Sequence, residues 1–206
     1  MRHEAADPGF DDAALAAAWA EGRDAGAFAR LVARHEGLMR RAAFVALGAA
    51  ARRDPGLVDD AVQESCVRLA GALARFRGDS AVATFMAAVA RRAALDELRK
   101  AARRSAKAER AARFAAGEAS APGAGAGPGA DPALSLERRE AGERVAALLA
   151  RLPEPERSLV YLRDAEGASL GDLARAFGLP EGTVKSKLAR ARAKLREKAL
   201  AEWGHE

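Results

Sequence analysis

Apolar positions along the chain recur three and four residues apart, and no stretch alternates as a strand would. Asp11 and Asp12 open a short helix expected to run through Trp19 and stop at Gly22. A longer one follows from about Asp24 to Leu47, with Phe28, Leu31, Val32, His35, Leu38, Met39 and Ala42 keeping the 3.6-residue period. His35 falls on that apolar face and reads as a packed core histidine. Asp54 and Pro55 supply a cap and a first-turn proline for a third helix to about Phe76, buried along Val58, Val62, Cys66, Leu69 and Leu73. Its other side carries Asp59, Asp60, Gln63, Glu64 and Arg68. The loop Arg77-Gly78-Asp79-Ser80 offers Asp79 or Ser80 as cap for a fourth helix on Val82, Phe85, Met86, Val89 and Ala93, which continues to Arg113.

Near Ala115 the pattern stops. Small residues, glycine and proline follow with nothing to bury, the composition of a flexible linker. About 19 such residues average roughly 25 Å end to end and stretch to about 65 Å. That approaches two turns of B-DNA, roughly 70 Å, so two tethered domains could reach separate places on one duplex. Beyond it, a helix is expected over Leu134–Leu152, broken by Pro153. Another opens at Pro155, carries Leu159, Val160 and Leu162, and ends near Gly167. The predicted fold is all-α, with two small helical domains at 11–113 and 134–200 joined by a Gly/Ala/Pro linker at 114–133.

The last stretch, Ser169 to Arg196, reads as a helix-turn-helix. Ser169 caps the first helix with Asp172 as its return partner, and Leu170, Leu173 and Phe177 form an apolar face. Ala174 is small where two helices cross, and Gly178 stands where the turn needs positive φ. Pro180 then suits the start of the second helix. Val184, Leu188 and Leu195 make that helix's buried stripe, leaving Lys185, Ser186, Lys187, Arg190, Arg192 and Lys194 to project outward.

Composition agrees with helices: half of the 206 residues are apolar, many of them alanine, while only 5% are aromatic. The net charge of +5 hides two basic stretches. Residues 180–198 hold seven basic side chains against Glu181 and Glu197. Residues 90–113 hold nine against Asp96, Glu97 and Glu109. Both suit a polyanion. Cys66 is the single cysteine, no run is long enough for a membrane span, and the acidic, alanine-rich start lacks a signal peptide's basic region. A cytoplasmic protein without membrane insertion is expected. His3, His35 and His205 are dispersed and no nucleophile-base pair is signalled, so neither metal, cofactor nor enzymatic activity is expected.

Several blocks resemble the extracytoplasmic-function (ECF) group of bacterial sigma-70 factors. In the C-terminal half these are Leu152-Pro153-Glu154-Pro155-Glu156-Arg157, Glu166-Gly167, Leu173-Ala174 and Gly182-Thr183-Val184-Lys185-Ser186-Lys187-Leu188 with Arg190-Ala191-Arg192. In the N-terminal half they are Asp60-Ala61-Val62-Gln63-Glu64, Phe76-Arg77-Gly78-Asp79, Ala90-Arg91-Arg92 and Leu95-Asp96-Glu97-Leu98-Arg99. The resemblance covers roughly Asp24 to Ala199. It implies an alternative sigma factor that binds core RNA polymerase, at the β′ clamp helices and the β flap, and directs it to promoter DNA. A helix-turn-helix alone would equally serve a stand-alone transcriptional regulator.

The resemblance also implies roles. Asp60, Gln63 and Glu64 match the family's polymerase-binding helix. Arg77, Gly78, Asp79 and Ser80 match the loop that captures a flipped base, and Arg91, Arg92, Asp96 and Arg99 lie along the helix that holds the −10 strand. Lys185, Ser186, Ala189 and Arg190 match the −35 readers, with Lys187, Arg192 and Lys194 as phosphate contacts. An anti-sigma factor is a further partner class the resemblance admits. The chain departs from the family at Phe85, Cys66, Ala70 and Val82, where larger aromatics are usual, and at Arg92, where asparagine is usual. Ala189 stands where some relatives carry an aromatic reader. A smaller N-terminal core is the expected result.

Overall fold

A computed structural model of the chain describes residues 11–114 and 145–203. Five helices form the N-terminal unit: α1 (Asp12–Gly22), α2 (Ala25–Leu47), α3 (Ala49–Arg53), α4 (Gly56–Leu73) and α5 (Val82–Phe114). After a helical turn at 145–149 come α6 (Glu156–Val160), prolonged by a π-helical stretch Tyr161–Ala165, then α7 (Leu170–Phe177) and α8 (Glu181–Trp203). No strand occurs among the described residues, as the 3.6-residue period predicts. None of the described helices is long and apolar enough to cross a membrane. The linker expected over 114–133, apart from Phe114 at the end of α5, and the first part of the helix expected over 134–152, lie outside the described residues.

Helix boundaries follow from local chemistry. Asp24 accepts hydrogen bonds from the amides of Gly26 (2.8 Å) and Ala27 (3.1 Å), satisfying two orphan donors at the start of α2. Asp54 does the same for Gly56 at 3.1 Å before α4. Helix α1 stops at Gly22 as expected, and Arg23 behind it takes the left-handed conformation (φ 53°), its amide closing onto the Trp19 carbonyl. Other boundaries differ from expectation. The extra helix α3 fills the connection that Gly48 opens, and α4 stops at Leu73 rather than Phe76. Neither Asp79 nor Ser80 takes the expected local cap before α5; the Ala81 amide donates instead to Asp172 of the C-terminal unit at 3.0 Å.

The core of the N-terminal unit is α2 and α4 packed on α5, with α1 laid across them. Leu31, Met39, Leu69, Leu73 and Met86 are fully buried there. The expected shortage of aromatic bulk is met from α1: Trp19 stacks on Phe28 at 4.7 Å between ring centroids and donates its indole N–H to the Ala70 carbonyl at 3.0 Å. Phe76 and Phe85 make a second ring pair at 4.9 Å. His35 sits on the apolar face but its Nε2 lies 2.7 Å from Asp12, which also pairs with Arg34 at 2.7 Å, so α1 is tied to α2 by a polar clasp.

The C-terminal unit buries Leu152, Leu159, Leu162, Leu173, Val184, Leu188 and Ala191, and this cluster takes in Ala42, Val45 and Ala87 of the N-terminal unit. The two units therefore share a packed seam. Arg157 crosses it, donating to the Ala46 carbonyl at 2.6 Å, and its guanidinium lies over Gly48. Gly48 has φ +58°, and a Cβ there would stand 2.7 Å from Arg157 Nη1. Both backbone and neighbour thus demand glycine. Gly48→Ala should lower stability by about 1–3 kcal/mol, the usual cost of forcing a side chain into such a conformation. Chemical denaturation of the two chains measures it, and equal midpoints would show that backbone and Arg157 yield freely.

Candidate functional site

Three surfaces carry the expected functional residues. The first is α8. Its N-terminal end is aimed by α7, where Ser169 accepts from the Asp172 amide (3.0 Å) and donates to the Asp172 carboxylate (2.6 Å). That reciprocal cap uses the hydroxyl twice; it differs from the predicted return bond to the Ser169 amide. Gly178 takes φ 65°, turning the chain into α8 as predicted. Leu173, Val184 and Leu188 are buried, and Ala191 joins them as a fourth buried position that the periodicity had not singled out.

Lys185, Ser186, Ala189 and Arg190 are exposed on one side of α8, and Lys187 is half-buried. Ser186 donates to the Thr183 carbonyl at 3.0 Å and Arg190 to the Ser186 carbonyl at 3.3 Å, both within the helix. Arg192 and Lys194 are engaged differently. Arg192 forms a two-pronged pair with Asp164, one arm at 3.1 Å, and Lys194 reaches Glu156 at 3.2 Å. These two cations brace α8 against α6 and its π-helical extension. A phosphate would have to compete with those carboxylates for them.

The second surface is α4. Asp60 and Gln63 are exposed and have no partner among the described residues. Glu64 pairs with Arg68 at 2.8 Å, and Arg68 continues to Asp96 at 2.6 Å. One turn beyond, Val67 is 72% exposed on the same stripe. An exposed β-branched residue amid carboxylates was not selected from sequence, although its spacing of seven from Asp60 was visible.

The third surface joins the 77–80 loop to α5. A cavity of about 450 Å³ opens there, walled by Arg75, Phe76, Arg77, Asp79, Ser80, Phe85, Val89 and Arg92, and closed by Arg175 and Ala176 of α7. Arg77 is exposed beside Gly78, whose φ is 74°. Arg92 donates to the Ala176 carbonyl at 2.8 Å, and Arg175 donates to the Asp79 carbonyl. Arg91 lies deeper, its guanidinium 4.5 Å from the Phe177 ring centroid and 3.5 Å from Glu154. Burial lowers the pKa of Arg91 against the pull of Glu154. An arginine remains charged there all the same. Asp96 and Arg99 form a separate group further along α5, paired at 2.7 Å. The structure thus brings Arg77, Asp79, Ser80 and Arg92 to one cavity, and leaves Gly78, Asp96 and Arg99 out of its lining.

Against known families, sigma-70 region 2 matches residues 31–104 and sigma-70 region 4 matches residues 142–195. The two matches in that order define a protein of the sigma-70 class. The chain is 34% identical over 194 residues to the ECF RNA polymerase sigma factor SigM of Mycobacterium tuberculosis, covering 94% of this chain and 85% of that one. It belongs to the ECF group of sigma-70 factors. Its fold is similar to CnrH in complex with the cytosolic domain of CnrY (TM-score 0.60, 26% identity, covering 92% of this chain and 97% of that one). It is also similar in fold to the sigma factor RpoE bound to the anti-sigma factor NepR from Bartonella quintana (TM-score 0.58, 20% identity, covering 82% and 94%).

The Arg68–Asp96–Arg99 chain makes a pH prediction. The Arg68 hydrogen bond, then its charge and Arg99, hold the Asp96 carboxyl below its ordinary value although burial opposes this. The unfolded chain then takes up the proton first as pH falls. The contribution is therefore present above the ordinary aspartate pKa, near 3.9, and is lost as pH drops through the lower folded value. Asp96→Asn should flatten the acid limb of a plot of melting temperature against pH. Superimposable limbs would show that the pairing does not contribute.

Proposed function

We propose that the chain directs core RNA polymerase to a class of promoters, reading the −35 element with α8 and capturing the −10 strand on the 77–80 loop and α5. The observation that carries this is the joint presence of regions 2 and 4 with a basic recognition helix and an acidic α4 stripe facing solvent. A stand-alone regulator would have no use for the second of these surfaces. The chain supplies recognition and strand capture, and the polymerase supplies the chemistry.

Each surface has a physical role in this reading. Asp60, Gln63 and Glu64, with Val67 at their end, offer carboxylates and one apolar contact to the polymerase. Carboxylates suit basic clamp helices, and Val67 adds area that leaves water on binding. At the −35 element, Lys185 and Arg190 can reach guanine O6 and N7, which discriminates between bases by about 1–3 kcal/mol. Lys187, Arg192 and Lys194 fix position on phosphates. At the −10 element, a base leaving the stack costs a few kcal/mol, which the cavity beside Arg77, Asp79 and Ser80 offsets through contacts to the base edge. Arg91, Arg92 and Arg99 hold the strand's phosphates, while Asp96 orients Arg99 and Arg68. The similar structure of RpoE bound to the anti-sigma factor NepR supports an anti-sigma factor as a further partner.

Specific run-off transcripts from core polymerase supplemented with the purified chain test the reading as a whole. Tight binding to a palindromic operator without any core binding would replace it with the stand-alone regulator. Arg190→Ala should change the preferred −35 sequence, scored over a randomised promoter library, whereas an equal loss on every promoter would reduce Arg190 to a phosphate contact. Gln63→Ala combined with Glu64→Ala should weaken holoenzyme assembly, measured by fluorescence anisotropy against core polymerase. Unchanged assembly would remove α4 from the polymerase interface.

A further inference from the structure

Helix α5 outruns the core it packs on. Leu98 and Ala101 still lie against the cluster formed by α2, α3 and α4, whereas residues 102–110 are all exposed. The helix nonetheless holds to Phe114, roughly 20 Å beyond Ala101. It needs no packing to do so. A helix already nucleated gains one hydrogen bond for each residue it fixes, and apart from Ser105 and Phe114 the extension is alanine, arginine, lysine and glutamate. The sigma-70 region 2 match ends at residue 104, so Lys107 and Arg110 lie beyond the matched region.

The cations of this extension share one side. At about 100° per residue, Arg99, Lys100, Arg103, Arg104, Lys107 and Arg110 fall within an arc of about 140°. Glu109 lies on the opposite side, where the Ser105 hydroxyl donates to it at 3.4 Å. Arg99 and Lys100, at the base of the row, pair with Asp96 and Glu97, both at 2.7 Å. Arg103, Arg104, Lys107 and Arg110 have no partner among the described residues. A helix stabilised for water alone sets carboxylates four residues from its cations. Here Arg99 is followed at that spacing by Arg103, Lys100 by Arg104, and Arg103 by Lys107, all of which repel. A line of phosphates relieves that repulsion.

We infer that the outer part of α5 is a sequence-independent rail for duplex DNA, with Arg103, Arg104, Lys107 and Arg110 on its phosphates. No aromatic residue lies between 99 and 113, so the rail offers no platform for unstacked bases. Its back is Ala102, Ser105 and Ala108, with no bulky apolar face for a membrane surface. A straight row roughly 17 Å long instead matches about half a turn of B-DNA. The duplex it fits lies between the two promoter elements, because α5 carries the −10 contacts nearer its start and α8 reads the −35 element. That placement rests on the function proposed above. Such a rail adds affinity without reading bases, and ties it to salt, because each phosphate neutralised releases counterions.

Core polymerase assembled with the full chain, titrated with salt on a fluorescein-labelled promoter fragment and on a random duplex of equal length, tests this. Arg103→Gln, Arg104→Gln, Lys107→Gln and Arg110→Gln together remove the charge and keep a good helix former. The slope of log affinity against log salt should shrink by about 3 to 4 on both fragments, with promoter preference unchanged. Ala106→Pro keeps every charge but breaks the row before Lys107 and Arg110, and should give about half that change. Methylphosphonate linkages between the two promoter elements should abolish the difference between wild type and the quadruple variant; a difference that survives would overturn the placement. An unchanged slope in the quadruple variant would overturn the rail, as would a wild-type slope in the proline variant, since mobile charges would then suffice. Weaker assembly with core polymerase and an unchanged DNA slope would give the row to an acidic protein surface instead. Promoter preference with equal slopes keeps the promoter reading and sinks the rail. A reduced slope on both fragments, without promoter preference in the wild type, keeps the rail and sinks the promoter reading.

Discussion

A guanidinium that is both needed and buried governs the way this molecule is put together. Arg91 is on the inward side of the long helix α5, 14% exposed, with Glu154 as its counter-charge and Phe177 across its face. Removing such a charge from water is expensive unless a partner replaces the lost hydration. Here the replacement is incomplete. Arg91 Nε and Glu154 Oε2 are buried without a hydrogen-bond partner among the described residues, and Arg157 Nε is in the same condition. A seam built this way holds the two units in one arrangement without binding them strongly. Its apolar share is also small on the N-terminal side, where Ala42, Val45 and Ala87 contribute. Short side chains remove little area from water, so the gain from closing is modest.

The remaining polar contacts follow from that balance. Each unit has its own well-packed interior, with Leu31, Leu69 and Met86 in one and Leu159, Leu173 and Val184 in the other. What crosses between them is mainly charge meeting carbonyl or carboxylate: Arg157 on Ala46, Arg41 on Tyr161 and Glu166, Arg92 on Ala176. Burial and the Glu166 carboxylate push the Tyr161 phenol well above its ordinary pKa, so it stays a donor at neutral pH while Arg41 donates to its oxygen. The bracing of α8 is of another kind. Arg192 on Asp164 and Lys194 on Glu156 lie wholly within the C-terminal unit. They fix the recognition helix to its scaffold whether or not the seam is closed.

The local chemistry of the fold was legible before any coordinates. Asp24, Asp54, Ser169 and Gly178 each do what their residue type and spacing require, because caps and turns depend on neighbours within four positions. The buried stripes of α2, α4, α7 and α8 were legible for the same reason. Three things were not. Arg23 in a left-handed conformation has no residue-type signal, since an arginine there is tolerated rather than preferred. Val67 looked like one more aliphatic residue on a helix until its neighbours showed it facing solvent. The seam was hidden most completely, because its partners are 84 to 125 residues apart where Arg92 meets Ala176 and Arg41 meets Glu166. Several acceptors are backbone carbonyls, which carry no mark in a sequence. The basic stretch around Arg91 and Arg92 announced a polyanion, and could not reveal that both arginines meet acceptors of the C-terminal unit.

That seam sorts the charged groups of the two halves into two sets. Lys185, Ser186 and Arg190 of α8 and the acidic stripe of α4 face solvent, whereas Arg91 and Arg92 of α5 face the C-terminal unit. Arg92 meets a neutral carbonyl there, a weaker acceptor for a guanidinium than a charged one. Arg91 has a carboxylate beside it, but at 3.5 Å and with its own Nε unsatisfied. A seam of incompletely satisfied charges therefore rests on the fit of its partners more than on their strength.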